Sequence, residues 1–201
     1  MSILAIDTVS AKPAIALHIK GQSHCLPLPS GRRQSAELLP AVKKLLDEHD
    51  YSMSDLEKLY VLTGPGSFTG VRVGLSYLKG VAAALNISLY GANHFEILMP
   101  YLKDNIAVIL ESGRAEKFIL LNGEIFNIAL EELNIRSDQF TDYIADFDIS
   151  EAISNKKKQD ISEFPVEILV EYLNNCKRDF NSETVVPYYI RDADTTTPKE
   201  K

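Results

Sequence analysis

The chain has 201 residues, 45% hydrophobic and 24% charged, the proportions of an ordinary globular protein rather than a disordered or fibrous one, and long enough for one large domain or two small lobes. Its net charge of −7 and pI of about 5.1 argue against a stand-alone binder of tRNA or DNA, because phosphate contact needs clustered Lys and Arg. Cys25 and Cys176 are too far apart for a CxxC redox or zinc motif, no stretch reaches the roughly eighteen apolar residues of a membrane span, and Met1 to Asp7 lacks the basic region of a secretion signal; a reduced, cytoplasmic chain is expected.

In chain order, residues 3–6 form an apolar run that ends at Asp7 and predicts a buried strand. Residues 14–19 predict a second strand, and Gly21 marks a turn before a third over 24–28. Leu38, Leu39, Val42, Leu45 and Leu46 share one helical face, opposite Lys43, Lys44, Asp47 and Glu48. Pro40 is tolerated in a first turn, so this helix is expected to start close to Glu37. A strand over 59–63 runs into Gly64, a long helix covers 70–85, a strand follows over 88–92 and a helix over 94–102. The second half opens with a strand over 106–110, a turn over 111–116 and a return strand over 117–122; Asn122-Gly123 is a hairpin turn before a third strand over 124–130. The pattern weakens after Ile135. Residues 154–160, with Lys156-Lys157-Lys158, predict a solvated loop, residues 165–176 a helix with Pro165 in its first turn, and residues 191–201 a polar, frayed end. The order predicts a two-lobed α/β protein, with a βββαβα lobe over 1–103 and a shortened lobe with a polar tail over 104–201.

Gly64-Pro65-Gly66-Ser67-Phe68-Thr69-Gly70 connects a strand to a helix, a position that suits an anion. It fails the P-loop test, since Gly70 is followed by Val71 and Arg72, and it fails the dinucleotide pattern, since the next glycine after Gly66 is Gly70. The alternative is a tight connection in which Ser67 or Thr69 caps the helix. The helix itself is apolar or small almost all round, with Arg72, Ser76 and Lys79 as one narrow polar stripe. Such a surface must be covered on more than one side. Three glycines inside it cost roughly 1 kcal/mol each relative to Ala, a loss that packing has to offset. Burial within the chain and contact with a second protein are both open readings.

Residues 3–8, Ser35-Ala36-Glu37-Leu38-Leu39-Pro40, the segment 64–70 with Arg72 and Gly74, and Val186-Pro187-Tyr188-Tyr189-Ile190-Arg191 occur in that order. Together they resemble the bacterial TsaB family, also called YeaZ, closely over about the first 95 residues. The resemblance implies an actin-like ATPase (ASKHA) fold of two lobes, the second reduced. It implies a non-catalytic scaffold or activator in the complex that forms N6-threonylcarbamoyladenosine at position 37 of tRNA. It also implies pairing with the catalytic subunit TsaD, an ATPase, TsaE, in the larger assembly, and contact with tRNA only through the complex. Carried onto this chain, the pairing surface draws on Leu38, Leu39, Val42, Leu45, Leu46, Gly70, Val71, Gly74, Leu75, Tyr77, Leu78 and Val81. The family often has Asp-Ala-Arg early in its second lobe, followed by Glu-Val-Tyr; here Ser112-Gly113-Arg114 and Glu116-Lys117-Phe118 stand there.

The catalytic relative binds a metal through His-x-x-x-His, and no two of His18, His24, His49 and His94 have that spacing. Asp7, at the end of the first strand, stands where an actin-like ATPase holds Mg²⁺, but residues 8–12 contain no glycine to admit a phosphate. It is read instead as a strand-end Asp bonding nearby backbone N–H groups. No catalytic residue, cofactor or metal is therefore expected. The rival reading is an actin-like small-molecule kinase or ATPase acting alone, which would need Asp7. A third is a homodimer through the apolar helix when the partner is absent.

Overall fold

The computed structural model describes residues 1–102, 105–112, 116–149, 153, 156–159, 165–176 and 184–190. The first sheet comprises β1 (Ile3–Asp7), β2 (Ala14–Ile19), β3 (Gln22–Pro27), β4 (Lys58–Leu62) and β5 (Ser88–Ala92), in the order β3-β2-β1-β4-β5. β1 pairs antiparallel with β2 and parallel with β4, and β4 pairs parallel with β5. Every residue of β1 is buried, as a central strand covered on both faces requires.

The second sheet comprises β6 (Ile106–Glu111), β7 (Glu116–Leu121), β8 (Glu124–Ala129), β9 (Asp142–Ala145) and β10 (Lys157–Lys158), in the order β10-β9-β6-β7-β8. Here too an antiparallel three-strand run from the central strand is flanked by parallel strands on its other edge. The two sheets thus share one topology, and β10, with two residues, is the most reduced member of the second. Asn122 and Gly123 both have positive φ in the β7–β8 turn, as the Asn-Gly pair predicts.

Helices α1 (Gln34–Asp47) and α2 (Phe68–Leu85) cover the outer face of the first sheet, while α3 (His94–Leu98) and α5 (Pro165–Asn175) pack with the core shared by both sheets. α4 (Leu130–Arg136) follows β8, and Leu133 joins the outer core of the second sheet. α5 comes from the second half of the chain yet packs on β1, β2 and β4, so a cut at 103/104 divides the sheets but not the core.

Four expectations need correction. α1 begins at Gln34, fed by a 3₁₀ turn over Gly31–Arg33, and Pro40 lies inside it. Pro40 and Ala36 are exposed, so water can take the place of the missing N–H. The 94–102 helix is α3 followed by a 3₁₀ turn over Met99–Tyr101, because Pro100 cannot continue an α-helical ladder. Strand β9 arises after Ile135, where the pattern weakens, and helix α4 begins at Leu130, where the third strand is expected to end. Finally, within the expected loop over 154–160, Lys157 and Lys158 pair with Asp142 and Tyr143; two exposed lysines at an edge carry no apolar signal. The expected polar end over 191–201 lies outside the described residues.

α2 is defined at both ends. Ser67 accepts from Gly70 N–H at 3.0 Å, and Asn86 closes the helix in the left-handed conformation at φ 53°. Its first turn rests on the end of β1: a Cβ on Gly70 would fall on the Thr8 carbonyl oxygen, and one on Gly74 would come within 2.5 Å of Thr8 Oγ1. At Gly80 a Cβ would meet nothing. Gly70→Ala is therefore expected to destabilise the chain by about 3 kcal/mol, and Gly80→Ala to stabilise it by up to about 1 kcal/mol. Urea denaturation midpoints of the two variants check both signs.

Candidate functional site

The turn after β1 is where an actin-like ATPase would receive phosphate, and here its donors are used internally. Val9 and Ser10 donate their N–H groups to Asp7 Oδ1 at 2.7 and 3.0 Å, and the Ser10 hydroxyl donates to Asp7 Oδ2. The Ala11 N–H goes to Asp146 Oδ2 at 3.0 Å, and the other oxygen of Asp146 accepts from Glu111 N–H at 3.0 Å. Asp146 thereby ties the turn after β1 to the end of β6. Two carboxylates occupy the role that a phosphate would take.

Asp7 is completely buried. Burial pushes its carboxyl above the ordinary value, opposed by the nearby His94 and by the hydrogen bonds from Ser10 and Val9. His94 is buried as well, with Nδ1 at 2.9 Å from the Pro65 carbonyl. A carbonyl only accepts, so Nδ1 carries the proton; Nε2 is enclosed without a hydrogen-bond partner among the described residues.

The 64–70 segment is a tight connection. Ser67 donates its N–H to Val9 O at 3.0 Å, Gly64 O accepts from His94 N–H at 2.7 Å, and Thr63 O accepts from Tyr188 N–H at 2.8 Å. A Cβ on Gly64 would overlap the Tyr188 carbonyl oxygen. The segment after Thr184 thus lies directly against the loop.

Of the residues expected to form a pairing surface, Leu38, Val42, Leu45, Leu46, Gly70, Val71, Gly74, Leu75 and Leu78 are buried inside this chain. Their side chains support the surface from beneath rather than forming it. Leu39 departs from its expected face and is 61% exposed, since it lies one step of 100° round the helix from Leu38. Tyr77 and Val81 are half-buried. The outward face of α2 consists of Arg72, Ser76, Lys79, Gly80, Ala83 and Ala84, with Val73, Tyr77 and Val81 at its margins.

A cluster invisible to spacing sits at the start of this face. The Phe68 and Tyr189 rings lie 4.9 Å apart, the Arg72 guanidinium stacks 3.9 Å from the Phe68 centroid, and Arg72 Nε donates to Tyr189 Oη at 3.2 Å. The Val186-Pro187-Tyr188-Tyr189-Ile190 run just before the polar end is the one sequence sign of it.

A family model described as TsaD, tRNA N6-adenosine threonylcarbamoyltransferase, matches residues 20–180. The tRNA threonylcarbamoyladenosine biosynthesis protein TsaB of Bacillus subtilis is 36% identical over 99 residues, 49% of this chain and 43% of that protein. The Escherichia coli protein of the same name is 33% identical over 93 residues, 46% of this chain and 40% of that one. The tRNA N6-adenosine threonylcarbamoyltransferase of Ruegeria pomeroyi is 34% identical over 104 residues, 49% of this chain and 28% of that enzyme. The matched region thus spans less than half the length of these curated relatives. The structure of YeaZ from Pseudomonas aeruginosa superposes with a TM-score of 0.68 at 20% identity, over 94% of this chain and 99% of that one, which shows the shared two-lobed fold.

Because the folded pKa of Asp7 lies above the unfolded one, its contribution to stability is whole below about pH 4 and is lost as pH rises through the raised value. Asp7→Asn cannot ionise. The unfolding free energy of the variant, relative to the parent, is expected to rise between about pH 4 and about pH 8, as chemical denaturation at both pH values would show.

Proposed function

The chain belongs to the TsaD family, tRNA N6-adenosine threonylcarbamoyltransferase, and from that membership we propose that it is a non-catalytic scaffold or activator subunit in the formation of N6-threonylcarbamoyladenosine in tRNA. Its partner is a TsaD-type catalytic subunit, with a TsaE-type ATPase joining the larger assembly and tRNA contacted through the complex in the cytoplasm. The names of the TsaB relatives support the pathway.

The observation that carries the pairing is Gly80. Gly70 and Gly74 are accounted for by Thr8, but Gly80 faces open space in the middle of a helix. A bare helix interior costs about 1 kcal/mol, and no contact among the described residues offsets it. With Ser76 and Ala84 one turn away on either side, Gly80 leaves α2 able to meet another helix at close range, and exposed Leu39 on neighbouring α1 supplies an apolar margin. The same face gives the route to self-association when the partner is absent. The rival reading, a kinase or ATPase acting alone, loses support because Val9, Ser10 and Ala11 already donate their amides to Asp7 and Asp146.

Gly80→Arg places a long cation on this face without touching the core. Mixed with the TsaD-type subunit of the same organism, the parent chain is expected to co-elute in gel filtration and Gly80→Arg to lose that complex with stability no lower than the parent's. In reconstituted tRNA modification, omission of the chain or use of the variant should lower product formation at least tenfold. Retained co-elution by Gly80→Arg would move the interface elsewhere, and nucleotide hydrolysis by the isolated chain, abolished in Asp7→Ala, would favour the enzyme.

A further inference from the structure

We infer that Arg72, clamped by Phe68 and Tyr189, is a docking residue for a carboxylate on the protein partner. This inference rests on the pairing reading and adds to it the chemistry of one end of the interface. Arg72, Ser76 and Gly80 follow one another at i, i+4 and i+8, so the guanidinium opens the outward stripe of α2.

Three observations converge on it. First, the side chain is held in place: its guanidinium carbon lies over the Phe68 ring, 3.9 Å from the centroid, and Nε is engaged by Tyr189 Oη at 3.2 Å. The two terminal nitrogens remain, and these are the pair that grips a carboxylate in parallel. Second, Arg72 has no acidic partner among the described residues, in a chain with 28 Asp and Glu against 21 Lys and Arg. With acids in excess, an ordered arginine unmatched among the described residues is suited to a carboxylate that a partner brings. Third, the surroundings fit the centre of a protein interface: Tyr189 is 41% exposed, so the cation is flanked by aromatic surface that a partner can cover. Arginine and tyrosine in such settings dominate binding energy.

A nucleic acid is the weaker occupant. Phosphate binding gains affinity from several cations acting together, whereas among the described residues of α2 Arg72 is accompanied only by Lys79, two turns along the helix, on an acidic chain. The clamp itself comes from elsewhere in the chain: Tyr188 N–H bonds Thr63 O, which seats Tyr189 beside Phe68. The arrangement immobilises a long side chain before the partner arrives and so lowers the entropy lost on binding.

The test uses the full chain and the TsaD-type subunit of the same organism, without tRNA, in isothermal titration. Arg72→Ala is expected to weaken binding by about ten- to a hundredfold with an unchanged denaturation midpoint. Arg72→Lys keeps the charge but not the fork and should recover only part of that loss. Tyr189→Phe, which frees Nε, should weaken binding severalfold. Raising salt from 50 to roughly 500 mM should weaken the parent more than Arg72→Ala. Equal affinity of parent and Arg72→Ala, while Gly80→Arg abolishes binding, would overturn the role of Arg72 and leave the pairing reading standing. Unchanged affinity in both Gly80→Arg and Arg72→Ala would overturn the role of Arg72 and move the interface elsewhere, and no heat of binding from the parent chain would remove the pairing reading itself. Binding of tRNA by the isolated chain, lost in Arg72→Ala, would overturn the carboxylate in favour of phosphate.

Discussion

The close approach of Thr8 to the first turn of α2 governs much of this molecule. The Thr8 hydroxyl donates to Gly70 O at 2.6 Å, and Gly70 and Gly74 lack the Cβ atoms that would push the helix away. With α2 seated on the end of β1, Val71, Leu75, Leu78 and Ala82 turn into the sheet. Arg72, Ser76, Gly80 and Ala84 must then turn outward, because a helix buried along one stripe presents the opposite one. A surface fit for pairing is thus a consequence of a contact made on the other side of the helix.

The same contact closes the turn that would otherwise serve chemistry. Ser67 N–H reaches Val9 O, and the amides of residues 9, 10 and 11 end on Asp7 and Asp146. Each donor finds a partner within the chain, which is what burial demands. Asp146 adds a second consequence, since its two oxygens hold the first turn and the end of β6 together. The two sheets are here joined by a carboxylate.

The segment around Tyr188 and Tyr189 shows how a family motif acquires a physical role. Its sequence says only that two tyrosines follow a proline. Folded, Tyr188 lies on the Thr63 and Gly64 backbone, while Tyr189 joins Phe68 and Arg72, more than a hundred residues earlier in the chain. The glycine-rich loop is therefore held from two directions, by the turn after β1 and by this late segment.

The strands of the first sheet and the helices α1, α2 and α5 were legible in the sequence, because their apolar residues repeat with the period of the element they form. So was the Asn122-Gly123 hairpin, whose backbone demands few other residues. Strand β9, in a stretch where Asp142, Asp146 and Asp148 interrupt the apolar positions, and the two-residue β10 were not, since their pairing comes from neighbours rather than from local pattern. The sequence by itself determined the family, the α/β class and a helix too apolar to be wholly solvated. Only the tertiary structure decided which side of that helix faces out. The family resemblance assigned Leu38, Leu39, Leu75 and Leu78 to one pairing surface, and burial divides them: contacts across more than sixty positions, such as Thr8 with Gly70 and Arg72 with Tyr189, have no signature within any local window.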